Sequence, residues 1–429
     1  MTAVDRAGLF RAAQRAALAQ LENNAASFGS RFPGDTSQGQ VYRPRQQDGH
    51  WEGSNVGWST GFWNGMCWLG YEMSGRHAFR AFAQQQNASF AQRLVRRIDL
   101  NRHELGMLYG PSFVAAYRVT GNSWYRSQVL EAAKLLQARF LPEPGVVQAW
   151  GRLDDAREQG RIIIETVMNM PLLHWASAQT GNPVYTQAAA RHLARSRELL
   201  VRSDGSIRQS CRLGPRGAQS HTYQTWQAQG EETCWARGQA WALYGFALNH
   251  RMAPGLGALE TARDMADYLL SRMPADGVLH WDLALDWRSG QQRDSSATSI
   301  AVCGLLELAE QLGDCGARYR EAGLDMLESL VRNCAAQSGS GKGLLAHGVY
   351  SLPEGRGVDE SNLWGDYHYL EALARCNHGW SSFWHLPAHA AAAREGAQEA
   401  PLWADYDFLG ALPYAAGKQR SFWRADALT

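Results

Sequence analysis

Tyr71-Glu-Met-Ser-Gly75-Arg-His-Ala-Phe79 closes one apolar helical pattern and opens the next within nine residues. The same punctuation returns at Tyr117-Arg-Val-Thr-Gly121-Asn-Ser-Trp-Tyr125 and at Trp175-Ala-Ser-Ala-Gln-Thr-Gly181-Asn-Pro-Val-Tyr185. In each, glycine takes the left-handed position just past a helix end, where a Cβ would be strained. The residues after it restart a helix, and an aromatic closes the hairpin.

Outward from these turns, apolar residues recur at a 3.6-residue period along most of the chain, whereas runs alternating with period 2 are scarce. Helices are expected near 5–27, 60–74, 77–98, 105–120, 123–139, 161–180, 183–200, 235–252, 258–273, 295–312, 316–334 and 361–376, twelve in all. The hairpin glycines are unevenly spaced, 46 residues from Gly75 to Gly121 and 60 from there to Gly181. That excludes a solenoid with a fixed repeat of about 34 residues. Six hairpins with long, variable connections predict an all-α fold, an (α/α)6 barrel closed into a toroid over residues 1–376. The long loops of such a ring gather at one end, where function is expected. Residues 377–429, rich in Trp, Phe, Ala and Pro, read as a C-terminal extension packed on the barrel.

Composition narrows the function. The chain has 429 residues, with 42 Lys+Arg against 41 Asp+Glu and 45% hydrophobic content, so it folds around a large core. A formal charge of +1 with no run of like charges offers no field to gather nucleic acid or an anionic bilayer. The longest apolar runs fall short of the roughly 20 residues that span a membrane. Met1-Thr-Ala-Val-Asp-Arg begins with an acid where a secretory leader carries basic residues, so a cytoplasmic protein is expected. Seven Cys, at 67, 211, 234, 303, 315, 334 and 376, stand apart with neither CxxC nor CxxH spacing. Neither a zinc site nor a disulfide framework is indicated. Seventeen Trp is high, and many adjoin glycine or polar residues, as Trp58, Trp63, Trp150, Trp235, Trp241 and Trp364 do. Flat faces with a polar edge suit sugar rings, as they also suit protein cores.

Candidate chemistry lies in polar residues set among apolar ones. Glu104 follows His103 at the start of a helical pattern, where a carboxylate favours the helix dipole. Glu165, after Arg161-Ile-Ile-Ile, falls with Asn169 in an almost wholly apolar segment read as helix. Burying a carboxylate costs several kcal/mol unless it is paired or protonated. Arg161, four residues earlier, is one partner; a raised pKa suited to general acid catalysis is the alternative. Arg237 and Trp241 share a helix face at i and i+4. Asp294 and Asp366 precede apolar runs and read as caps or inner-wall hydrogen bonders. Neither a Walker loop nor a GxSxG elbow occurs.

At these residues the chain resembles the unsaturated glucuronyl hydrolases of glycoside hydrolase family 88. The resemblance is carried by Trp58-Ser-Thr-Gly-Phe-Trp-Asn-Gly-Met-Cys-Trp-Leu, His103-Glu-Leu-Gly-Met-Leu-Tyr, Val147-Gln-Ala-Trp150-Gly, Gly160-Arg-Ile-Ile-Ile-Glu165, Trp235-Ala-Arg-Gly-Gln-Ala-Trp241, Arg293-Asp-Ser-Ser-Ala297 and Trp364-Gly-Asp-Tyr. It implies a six-hairpin α/α barrel and cleavage of short oligosaccharides, released by polysaccharide lyases, that end in a 4,5-unsaturated uronate. A carboxylic acid protonates C4 of the vinyl ether, water adds at C5, and the hemiketal opens and expels the neighbouring sugar. No metal or nucleotide takes part.

Carried onto this sequence, the resemblance makes Glu165 the general acid/base. It makes Glu104 the second carboxylate, which orients substrate and water and raises its neighbour's pKa by repulsion. Trp58, Trp150 and Trp241 become sugar platforms, Arg237 and His221 engage polar substrate groups, and His103 and Trp364 join the substrate-binding set. Both carboxylate positions are Asp in the family and Glu here. One added methylene moves a carboxyl by about 1–1.5 Å, and a misplacement near 1 Å can cost about a hundredfold, so a reshaped pocket is implied. Arg208, where the family has an active-site His, would favour a more anionic or differently linked substrate. A saturated or isomerised uronate substrate, or a catalytically silent sugar binder, stays open as an alternative. A monomer or small homo-oligomer is expected.

Overall fold

In the computed structural model of the protein, which describes residues 3–214, 217–285 and 290–384, helices dominate and strands are short. The helices are α1 (Ala3–Phe28), α2 (Thr60–Ser74), α3 (His77–Gln85), α4 (Asn87–Arg96), α5 (Leu105–Tyr109), α6 (Ala115–Thr120), α7 (Ser123–Gln137), α8 (Met170–Thr180), α9 (Pro183–Leu200), α10 (Ala236–Met252), α11 (Ala258–Ser271), α12 (Ser295–Leu312), α13 (Ala317–Asn333) and α14 (Leu363–His378). A π-helical turn at Gly110–Val114, around Pro111, joins α5 to α6 in one rod.

Two classes of rod alternate. In α10 every residue from Ala236 to Asn249 is buried, and α2, the α5–α6 rod, α8, α12 and α14 are similarly enclosed. By contrast α13 buries Tyr319, Gly323, Met326, Leu327 and Leu330, a single stripe at helical spacing. The enclosed rods form an inner ring, with contacts running from α2 to the α5 rod, α8, α10, α12, α14 and back to α2. The striped rods lie outside, which gives the expected all-α toroid.

The hairpin glycines act as their sequence predicts. Gly75, Gly121 and Gly181 have φ of 67, 69 and 70°, and their N–H groups return to the carbonyls of Tyr71, Tyr117 and Ser177. Asn122 and Asn182 then cap the following helices through the N–H groups of Trp124 and Val184. The closing aromatics Phe79, Tyr125 and Tyr185 are buried.

Some boundaries differ. The helix expected over 77–98 breaks at Gln86 into α3 and α4. The helix expected over 161–180 begins only at Met170: Arg161–Ile163 is a strand, followed by a 3-10 turn at Ile164–Asn169. Three consecutive isoleucines favour an extended backbone, and Pro171 fits the first turn of α8. The strands are β1 (Phe140–Leu141), β2 (Val146–Val147), β3 (Arg161–Ile163), β4 (Ser210–Gly214), β5 (Gly217–Gln224), β6 (Gly348–Ser351) and β7 (Arg356–Glu360). They form three small antiparallel groups, β1-β2, β3-β4-β5 and β6-β7. Among the described residues no helix is long and apolar enough to cross a membrane. Of the extension expected over 377–429, residues 377 and 378 end α14, and Trp380, Phe383 and Trp384 just beyond it are buried; the rest of that expectation lies outside the described residues.

Candidate active site

The inner rods present their N-terminal ends to one pocket. Trp58 precedes α2, Glu104 sits at the cap of α5, Glu165 opens the 3-10 turn before α8, and Trp235 is the cap of α10. N-terminal helix ends carry partial positive charge, so their convergence suits an anion. The cavity, of about 260 Å³, is lined by Trp58, Arg102, Glu104, Trp150, Glu165, Trp226, Gln227, Trp235, Arg237, Trp241, Tyr350, Glu354 and Arg356.

At its centre two carboxyl groups face each other in opposite protonation states. Burial first, and then the negative charge of Glu104, push Glu165 up against the opposing Arg237, to about 8. Glu104 would also rise on burial, but His103, Arg102 and the indole N–H of Trp150 bring it below its ordinary value. That N–H donates to Glu104 Oε1 at 3.1 Å. Burial drives the His103 imidazole down to about 4, so at neutral pH the ionised state of Glu104 rests on Arg102 and Trp150. The pocket thus holds an acid that keeps its proton at pH 7 beside a carboxylate that does not. With Glu165 protonated, Arg102, Arg237 and Arg356 outnumber the remaining carboxylates Glu104 and Glu354. Each of these arginines also has a carboxylate behind it, Asp99 for Arg102, Asp294 for Arg237 and Asp35 for Arg356.

His103 lies behind Glu104, its Nδ1 bonded to Thr166 Oγ1 at 2.9 Å and its Nε2 3.6 Å from Glu104 Oε1. Neither His103 Nε2 nor Glu104 Oε2 has a hydrogen-bond partner among the described residues. One donor atom each from His103, Glu104 and Glu165 lies within 4.8 Å of the others.

Arg237 is fixed in place. It is buried against Asp294 at 3.6 Å, donates to the Val349 and Tyr350 carbonyls, and lies over the rings of Trp235 and Trp364. Asp294 caps α12 through the N–H groups of Ser296 and Ala297. Asp366 accepts the Leu344 and Leu345 N–H groups and the Tyr42 hydroxyl. Both are the structural acids that their positions suggest. Trp58 stacks on Trp364 with centroids 4.8 Å apart, and Trp150 is tilted against Trp226 at 5.5 Å.

The structure therefore brings together Trp58, Glu104, Trp150, Glu165, Arg237 and Trp241. Trp364, fully buried, supports Trp58 and Arg237 from behind and does not line the cavity. Arg161 is not the partner of Glu165: it lies in a strand, where i and i+4 do not share a helix face, and pairs with Glu158 and Gln224.

Arg208 and His221 are not brought to this pocket. Successive side chains along an extended segment point to opposite sides. Gln209 turns inward to Thr225, Trp226 and Gln227, so Arg208 turns away, over the Tyr223 ring and toward Glu232 at 3.1 Å. His221, exposed on β5, lines a separate cavity with Leu141, Glu143 and Arg212. It stands five residues along the chain from Trp226, roughly 16 Å of extended backbone.

Residues missed in the sequence are Arg102, Trp226, Gln227, Tyr350, Glu354 and Arg356. Only Arg102, adjoining His103-Glu104, carried a local signal. The others arrive on loops and on the β6-β7 hairpin.

Comparison with known proteins places the chain in a family. The family model described as Glycosyl Hydrolase Family 88 matches residues 26–391. This chain belongs to glycoside hydrolase family 88. It is 37% identical over 373 residues to an unsaturated glucuronyl hydrolase of Bacillus sp. (strain GL1), covering 86% of this chain and 97% of that protein. To an unsaturated chondroitin disaccharide hydrolase of Streptococcus pneumoniae it is 38% identical over 369 residues, 85% of this chain and 91% of the relative. The crystal structure of the Bacillus sp. GL1 enzyme superposes with a TM-score of 0.83 at 37% identity, covering 88% of this chain and all of that one. As a family 88 member, the chain is a glycosidase on an α/α barrel.

Proposed function

We propose that Glu165 is the general acid/base of this enzyme, with Glu104 as its ionised partner, in hydrolysis of short oligosaccharides ending in a 4,5-unsaturated uronate. The observation that carries the reading is the pair itself: a protonated Glu165, raised to about 8, beside a Glu104 held ionised by Arg102 and Trp150. The family 88 relatives, named for unsaturated glucuronyl and chondroitin disaccharide substrates, supply the substrate class.

In this reading Glu165 delivers its proton to C4 of the ene-acid, and charge builds on C5 and the ring oxygen. A water molecule held by Glu104 Oε2 adds at C5 and returns a proton to Glu165. The hemiketal opens and releases the next sugar. The protonated state must persist at working pH, and burial beside a second carboxylate provides that. Arg102, Arg237 and Arg356 favour the uronate carboxylate, while Trp58, Trp150 and Trp241 offer flat surfaces to the rings. Polysaccharide lyases, which form the 4,5 double bond, supply the substrate. A cytoplasmic place of action belongs to the same reading, and seven cysteines without a disulfide fit a reducing compartment.

The test is loss of the ultraviolet absorbance of the conjugated ene-acid, measured with purified protein on unsaturated disaccharides from chondroitin, hyaluronan, heparin, alginate and pectin digests. Loss on at least one is expected. Silence on all five would refute the hydration reading and turn attention to a saturated substrate or to binding without turnover.

A further inference from the structure

The segments that carry the two carboxylates meet at one buried side chain, Asn169, the last residue of the 3-10 turn that Glu165 opens. Its Oδ1 accepts the N–H of Met107 at 2.8 Å, across 62 residues of sequence. Its Nδ2 reaches back to the carbonyl of Glu165 at 3.4 Å. Gly106 permits the approach: a Cβ there would fall 2.6 Å from Asn169 Cα and 2.9 Å from its carbonyl oxygen.

The bond to Met107 has a particular meaning. Glu104 is the cap residue of α5, and its carbonyl accepts the N–H of Leu108 at 2.9 Å. A short polar side chain at that position, Ser, Thr, Asp or Asn, accepts the N–H two or three residues on, and Met107 is the third. Glu104 makes no such bond. The donor that would draw its carboxylate into the helix is already taken by Asn169, and the carboxylate instead meets Trp150 and faces Glu165.

We propose that Asn169 is a positioning residue that caps α5 in place of Glu104 and so holds the Glu104 carboxylate toward Glu165. The inference rests on the reading that these two glutamates carry the chemistry. Groups facing Glu165 from its neighbours are His103, Glu104, Arg102, Arg237, Glu354 and Arg356, and the first two ride on the segment that Asn169 holds.

The experiment compares Asn169→Ala, Asn169→Asp and Asn64→Ala in steady-state turnover of whichever unsaturated disaccharide the wild type consumes, with thermal unfolding of each. Asn64 is an equally buried asparagine that bonds Ala83 and Gln86 on the far side of α2, so its replacement controls for general destabilisation. Asn169→Ala is expected to lower kcat by about 10- to 100-fold with KM changed less than about threefold, the scale of a 1 Å misplacement. Asn169→Asp keeps the acceptor for Met107 and is expected to recover at least tenfold of that loss. Asn64→Ala should lose stability but not kcat. If Asn169→Ala does not fold, Asn169→Ser, too short to reach Met107, replaces it with the same expectation. A kcat within about threefold of Asn64→Ala, or no recovery in Asn169→Asp, overturns the inference. Full turnover by Glu165→Gln would instead overturn the reading beneath it, so the two failures are distinguishable.

Discussion

Replacing Glu165 by Gln should abolish turnover and, at the same time, make the fold less sensitive to pH. The carboxyl keeps its proton in the folded protein until about pH 8, whereas in the unfolded chain it releases it near 4.5. Between those values the folded state binds one proton more, so wild-type stability falls as pH rises, by about 1.4 kcal/mol per unit. The shift from 4.5 to about 8 sets a ceiling of about 5 kcal/mol above pH 8, and about 3 kcal/mol has accumulated by pH 7. Gln has nearly the same shape and no proton to lose, so the variant escapes this cost. Other buried groups, Asp366 among them, titrate alike in both proteins and cancel in the difference. Urea unfolding followed by tryptophan fluorescence at pH 5, 7 and 8.5 should show the variant gaining on the wild type at each step. An equal difference at pH 5 and pH 8.5 would refute a raised Glu165, and turnover by the variant would refute its role as the acid.

Trp150→Phe removes the N–H that donates to Glu104 while keeping an aromatic face, so the Glu104 carboxyl should rise. The acid-side fall of the pH–rate profile should move to higher pH, with kcat lowered about tenfold, as for loss of one hydrogen bond to a charged group; an unmoved acid limb would count against Glu104 working ionised. Arg208→Ala should leave turnover within about twofold and discrimination between sulfated and unsulfated disaccharides unchanged, because the side chain lies over Tyr223 and toward Glu232; altered selectivity would restore it to the substrate site. Gly75→Ala places a Cβ at φ 67° in open space and should cost about 1 kcal/mol in urea unfolding with activity intact. No loss of stability there would contradict the left-handed helix stop.

The ring was legible because its signals are local. A glycine at a helix stop, an Asn cap one residue later and an apolar stripe each act within a turn or two of backbone, and Gly121-Asn122 and Gly181-Asn182 carry them openly. The isoleucines before Glu165 misled because a short β-branched apolar run has no period that separates strand from buried helix. The extended segment leading into β4 was unreadable for a similar reason. Whether Arg208 or Gln209 turns inward depends on strand phase, and one step of phase exchanges the two faces.

What the chain alone determined was an all-α toroid of helical hairpins, two glutamates set among apolar residues, and an excess of tryptophan beside polar neighbours. Only the tertiary structure decided that the two glutamates face each other and that one is displaced up and the other down from the ordinary carboxylate range. A pKa is set by charges and dipoles through space. Glu104 gains its indole donor from 46 residues away, Met107 meets Asn169 across 62, and Arg237 reaches the pocket from a third rod of the ring. Helix propensity is summed over neighbours in sequence, whereas the field at a buried carboxyl is summed over neighbours in space, and closing the ring is what makes those neighbours.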